Sequence, residues 1–156
     1  MLERIGVWSL LAATPIETIH ISQQNRFGCA RLDARQVDLP ALGYVVRYGE
    51  LMQALHARLK GSGVRQSYDA QVHSIETTAS FASVGYRHGT SEMLATARLV
   101  VVADGAGGLR VGNRVQHTRD YCQHALVAEV APSRPHSNVA YERFTADGPA
   151  ALLPIG

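Results

Sequence analysis

Arg98-Leu99-Val100-Val101-Val102-Ala103-Asp104-Gly105-Ala106-Gly107-Gly108 is the stretch whose reading decides the fold. Five apolar residues in a row, without alternation, predict a strand buried on both faces. The run stops at a carboxylate and then a glycine-rich turn. Glycine carries no Cβ, so its backbone can approach a ligand closely. A carboxylate fixed at a strand end can accept hydrogen bonds from the hydroxyls of a ribose or ribityl chain. An Asp-Gly hairpin turn has the same local pattern. The run alone supports both readings.

Working outward, Val64 to Ala97 reads as short strands over 64–68, 70–77, 80–87 and 92–97, a meander leading into the run. His88-Gly89-Thr90 supplies a tight turn between the last two. Before it, Leu51, Ala54, Leu55 and Leu59 form the apolar stripe of a helix from about Gly49 to Lys60, stopped by Gly61-Ser62-Gly63. Pro40 precedes a short β-prone segment, residues 42–46. Near the N-terminus, Leu2, Ile5, Trp8 and Ala12 predict an amphipathic helix over 2–13 that ends at Thr14-Pro15. Ile19 and Ile21 alternate with His20 and Ser22, and Phe27 to Leu32 return, so a hairpin is expected there. Beyond Gly112, strands are expected over 125–130 and 139–145. A turn at 146–149 follows, then the closing run Leu152-Leu153-Pro154-Ile155-Gly156. This order of elements predicts an α+β, or mixed α/β, fold. The abrupt apolar close suggests an excised or truncated segment.

Composition narrows the function. With 156 residues, 46% hydrophobic and 18% charged, the chain has the make-up of an ordinary globular domain or parts of two. A net charge of +2 without a basic run gives no reason to expect nucleic acid. No apolar segment reaches the roughly 18 residues of a membrane span. Cys29 and Cys122 are expected to be free thiols in a cytoplasmic setting. Gly61-Ser62-Gly63 lacks the spacing of a hydrolase elbow. His117, Cys122 and His124 are too loosely grouped for a metal site, so no metal and no catalytic side chain are assigned. His20, His73, His88 and His124 read as surface or strand polar residues. Neither nucleotide-binding glycine fingerprint is complete.

Residues 99–106, Leu-Val-Val-Val-Ala-Asp-Gly-Ala, resemble the Asp-Gly motif of class A FAD-dependent aromatic hydroxylases. Ala41-Leu42-Gly43-Tyr44-Val45-Val46 with Leu51 to Leu55 is similar to the segment entering that family's long helix. Tyr141-Glu142-Arg143-Phe144-Thr145, then Gly148-Pro149 and Leu152-Leu153-Pro154, resembles the ubiquinone-biosynthesis subfamily, which includes 2-octaprenyl-6-methoxyphenol hydroxylases. Leu2 to Trp8 and Thr14 to Ser22 resemble it as well, so the likeness covers nearly the whole chain.

The resemblance implies an internal fragment of a monooxygenase that hydroxylates the ring of a polyprenyl phenol with FAD, NAD(P)H and O₂. In such a protein the flavin supplies the chemistry and the chain orients and shields. It implies that Asp104, Gly105 and Ala106 bind the cofactor near its ribityl and pyrophosphate groups. Arg47 stands beside Tyr48, where the family often has a polar cofactor contact. Val72 is implied to lie near the adenine, and Gly148 and Pro149 near the flavin ring and substrate. Gly107, Gly108 and Arg110 depart from the family's continuation of the motif.

By the same resemblance, residues 1–40 are a substrate-domain hairpin with a leading helix. Residues 41–113 are part of the FAD-binding domain, and 114–156 a truncated substrate-binding sheet. The family's Gly-x-Gly-x-x-Gly and later Gly-Asp segments are not in this sequence, so the chain alone is expected to bind FAD weakly or not at all and to lack turnover. A cytoplasmic location, association with the inner-membrane surface and other ubiquinone-pathway enzymes as partners are expectations of the same kind. Two alternatives remain at the sequence level. One is another FAD-dependent aromatic hydroxylase or a prenyl reductase; the other is a stand-alone α+β binding module with no enzymatic activity.

Overall fold

A computed structural model describes residues 1–105 and 119–156. The described chain holds one α-helix and nine strands in three sheets, an α+β arrangement as the order of elements predicts. It divides into two compact units, Met1–Val64 with Ala128–Gly156, and Arg65–Val127.

In the first unit, β1 (Thr14–Ile16) pairs antiparallel with β4 (Gly43–Val45). Trp8 packs edge-on against Tyr44 of β4, with ring centroids 4.9 Å apart. A four-stranded sheet has the order β3-β2-β8-β9. Its members are β2 (Thr18–Gln23), β3 (Cys29–Asp33), β8 (Val139–Thr145) and β9 (Gly148–Leu152). The expected hairpin β2–β3 is present, with Ser22 opposite Cys29 across a turn that holds Asn25 at φ 57°. β2 and β8 run parallel, Thr18 beside Val139 through Gln23 beside Phe144. The core of the unit is small: Val7, Ala34, Ala41, Ala54 and Ala140 are buried, as are Thr14 and Thr18.

Helix α1 (Tyr48–Lys60) forms where the apolar stripe predicts it, and Ala54 is its buried residue. Ser62 ties off its end by donating its hydroxyl to the carbonyl of Leu59 at 2.6 Å. Asp33 closes β3 by accepting from the backbone N–H of Arg35 and, through both oxygens, from its guanidinium. This caps the 3-10 turn Ala34–Val37, and those donors hold the Asp33 carboxyl well below the usual carboxylate range.

The helix expected over 2–13 does not form. Gly6 sits at φ +68°, its N–H donates to Glu3 and the N–H of Val7 reaches back to Leu2 at 2.9 Å. That pair of bonds is the Schellman stop, in which a left-handed glycine ends the helical turn. Arg58 of α1 then donates its Nε to the Ile5 carbonyl at 2.8 Å and lies over Gly6. Only a 3-10 turn, Trp8–Leu10, follows. The apolar periodicity masked a stop signal that Gly6 carries openly.

The second unit is the meander β5 (Ala70–Thr77), β6 (Ala82–His88) and β7 (Ser91–Ala97), all antiparallel. The register shifts at His73, where β5 holds one residue more than β6. His73 and Ser74 both crowd Gly85 of β6. A methyl at Gly85 would lie 2.8 Å from Cε1 of His73. The bare glycine lets His73 reach across β6 to Glu92 of β7, Nε2 to Oε2 at 2.8 Å. Pairing alternation then puts Val72, Ile75, Val84, Tyr86 and Met93 on one face of the meander.

The decisive run differs from expectation. Residues 98–104 form no strand, and Leu99, Val101 and Val102 are 78%, 76% and 42% exposed. Residues 64–68 and 125–130 likewise form no strand, and Leu126 and Val127 are fully or nearly fully exposed. A strand needs a partner for its backbone groups, and among the described residues none of these segments has one.

Two glycines should therefore be intolerant of a methyl group. Gly6→Ala meets a left-handed backbone and Arg58, and is expected to cost about 1 kcal/mol or more. Gly85→Ala overpacks the His73 bulge and is expected to cost about 1–3 kcal/mol. Denaturant midpoints of the two variants against the parent chain check both values.

Candidate functional site

The apolar face of the meander explains where the run 98–104 goes. An open cleft of about 450 Å³ is lined by Ala70, Gln71, Val72, Ile75 and Val84 on one side and residues 100–104 on the other. A smaller cleft of about 240 Å³ continues it past Phe81 and the β5–β6 turn to Arg98 and Leu99. The segment is thus a strap along the sheet face. Val100 is half-buried while Leu99 and Val101 on either side of it are exposed, and Ile75 in the same cleft is 8% exposed.

The strap brings together two residues that the resemblance placed at one cofactor. Val72, from β5, and Asp104, at the end of the strap, line the same cleft. Gly105 follows at φ +67°, with nothing within 4 Å of where a Cβ would stand. Asp104 is exposed, which leaves its oxygens open to donors from a ligand. The cleft is within the usual size range of small-molecule sites and matches a nucleoside-sized group better than a whole dinucleotide. Ala106 lies outside the described residues, as do Gly107, Gly108, Arg110 and His117.

The remaining candidates belong to the first unit. Arg47 sits at the N-terminus of α1 and forms ion pairs with Glu129 and Glu50. Hydrogen bonding to Glu129, then its charge, raises the Arg47 pKa, and the same contact lowers that of Glu129. Gly148 and Pro149 open β9 beyond the two-residue turn Ala146-Asp147. Thr145 pins that turn, donating its hydroxyl to the Gly148 carbonyl at 2.7 Å and accepting from the N–H of Asp147. Gly148 has φ +127°.

Pro149 stands directly opposite Phe144, and both are exposed. Pairing places them on the sheet face that also carries Ile19, Ile21 and Leu32. Phe144 enters the sequence reading only within the Tyr141–Thr145 block, with no role of its own. The opposite face carries a polar row in which His20 lies between Arg31 and Tyr141, the His20 and Tyr141 rings 5.6 Å apart. That row depends on the parallel β2–β8 pairing, and no local pattern announces it.

No family model matches the chain. The chain is 25% identical over 160 residues to 3-demethoxyubiquinol 3-hydroxylase of Escherichia coli K12, covering 99% of this chain and 40% of that protein. It is also 25% identical over 168 residues to an uncharacterized protein of Synechocystis sp., covering 99% of this chain and 39% of that protein. The chain therefore spans about two fifths of the length of these curated relatives. The first likeness is distant and points toward a hydroxylase family, in keeping with the class of protein that the sequence blocks resemble. Among the described residues, no helix is long and apolar enough to cross a membrane.

The Arg47–Glu129 pair gives a pH test of the site. A carboxyl lowered in the folded state contributes stability above its unfolded pKa and loses it as pH falls through the folded value. The Glu129 side-chain carbon should therefore titrate at lower pH than that of an unpaired glutamate. Arg47→Ala should return it to the ordinary range. Carbon-detected NMR titration of both proteins checks this.

Proposed function

We propose that the chain is part of an FAD-dependent monooxygenase that hydroxylates the aromatic ring of a polyprenyl phenol in ubiquinone biosynthesis, with NAD(P)H as reductant. One observation carries the reading: the cleft that joins Val72 to Asp104. The two residues lie far apart in the sequence, and the resemblance implies that both face the same cofactor. The distant likeness to a ubiquinol hydroxylase over 99% of the chain supports the same class.

In this reading each group has a physical task. FAD, when bound, supplies the redox chemistry that activates oxygen. Asp104 accepts hydrogen bonds from cofactor hydroxyls, a role suited to an exposed carboxylate at the end of a held segment. Gly105 and Ala106 offer backbone N–H groups to the phosphate side. Val72 presents β5 backbone and an apolar surface to the adenine, where Ile75 and Val84 exclude water. The resemblance implies a cofactor contact for Arg47, whose ion-pair partner is Glu129. Gly148 and Pro149 border the substrate, beside the apolar side chain of Phe144. The substrate's long apolar tail would draw the protein to a membrane surface.

The reading is tested in the polypeptide expressed from the whole reading frame that encodes this chain. Asp104→Ala is expected to lower bound flavin at least about tenfold, the weight of one to two lost charge-assisted hydrogen bonds. NAD(P)H- and O₂-dependent hydroxylation of a prenylated phenol should fall with it. Flavin content unchanged by Asp104→Ala would contradict the assignment.

A further inference from the structure

A sheet edge exposes unpaired backbone N–H and C=O groups, and proteins blunt such edges with charge, proline or bulges. The two larger sheets have four edges among the described residues. β3 carries Arg31 and Asp33, with Arg35 bound to the latter. β9 carries Pro149. β5 is broken by the irregularity at His73. β7 has neither proline nor bulge and carries a single charge: Ser-Glu-Met-Leu-Ala-Thr-Ala pairs with β6 in unbroken register, and all seven residues are exposed. Its one charge, Glu92, is engaged by His73 of β5.

We propose that β7 is a self-association edge, at which a second copy of this chain adds its own β7 antiparallel to the first. A two-fold axis perpendicular to the sheet requires residues on the same face to meet, so paired positions must sum to an even number. Centring the axis on Leu94, the midpoint of the strand, pairs all seven residues. Leu94 then meets Leu94, Met93 meets Ala95, and Ser91 meets Ala97. Glu92 meets Thr96, so the only charges of the strand do not face each other, and like charges directly opposite are what would oppose such pairing. Leu94 and Met93, 70% and 47% exposed in the single chain, become covered by apolar partners. The result is one continuous six-stranded sheet. A seven-residue ladder lies at the small end of interfaces, so association is weak and concentration-dependent.

The test is register-specific crosslinking of the chain Met1–Gly156 in a Cys29→Ser, Cys122→Ser background, which removes the two exposed thiols. Under mild oxidation Leu94→Cys should form a covalent dimer. Glu92→Cys alone should not, whereas Glu92→Cys mixed with Thr96→Cys should give the heterodimer. Sedimentation velocity should show a monomer–dimer equilibrium that Leu94→Lys weakens by about tenfold or more, because two lysines would then stand opposed. Leu94 is exposed, so circular dichroism of that variant should match the parent. A monomer at every concentration overturns the proposal. So does crosslinking of Glu92→Cys to itself as readily as Leu94→Cys, which would mark unspecific sticking.

Discussion

The meander β5–β6–β7 has an apolar face that has to be covered, and the strap 98–104 is what covers part of it. Everything specific about the candidate site follows from that contact. Half-buried Val100 lines the same cleft as Ile75 and Val84, so the strap runs along the sheet. Asp104 is thereby delivered to the Val72 end of the face, with Gly105 free to turn away in a left-handed conformation. None of the strap's side chains is buried and only Val100 is half-buried, so little apolar burial holds the strap to the sheet.

The first unit is built on a different constraint, the parallel pairing of β2 with β8 across most of the chain's length. It sets up two unlike faces. One bears Ile19, Ile21, Leu32, Phe144 and Pro149 together with Gln23 and Glu142, and the other Arg31, His20, Tyr141 and Arg143. On the first, largely apolar face, Phe144 and Leu32 stay about half exposed. The positions that resemble substrate contacts, Gly148 and Pro149, lie at the margin of this apolar face. Arg47, in the same unit, is paired with Glu129 and Glu50.

Local pattern made much of this legible. The α1 stripe, the β2–β3 hairpin, the meander and the β8–β9 hairpin all announce themselves by periodicity and turn chemistry. Failures came where the periodicity was right but its partner was missing or a stop was overlooked. Residues 2–13 have helical spacing, but Gly6 terminates the turn and Arg58 seals it. The run 99–103 has the composition of a doubly buried strand, yet pairing is a property of neighbours, and among the described residues no strand lies beside it. Residues 125–130 behave the same way. At the site, Val72 and Asp104 came from a family resemblance; Ile75, Val84 and Val100 were readable only as core. Their meeting in one cleft depends on the strap's path, which no window of sequence encodes. The placing of Phe144 opposite Pro149 required the β8–β9 register, and the His20–Tyr141 row the long-range β2–β8 register.

The central claim is that the cleft between the strap and the meander is the cofactor-facing surface of the chain. Backbone NMR of the isotopically labelled chain, titrated with FAD, tests it most directly, because the method reads weak binding residue by residue. The account predicts saturable shifts centred on Val72, Val100, Asp104 and Gly105, with β7 amides unmoved. Shifts confined to other surfaces would contradict it.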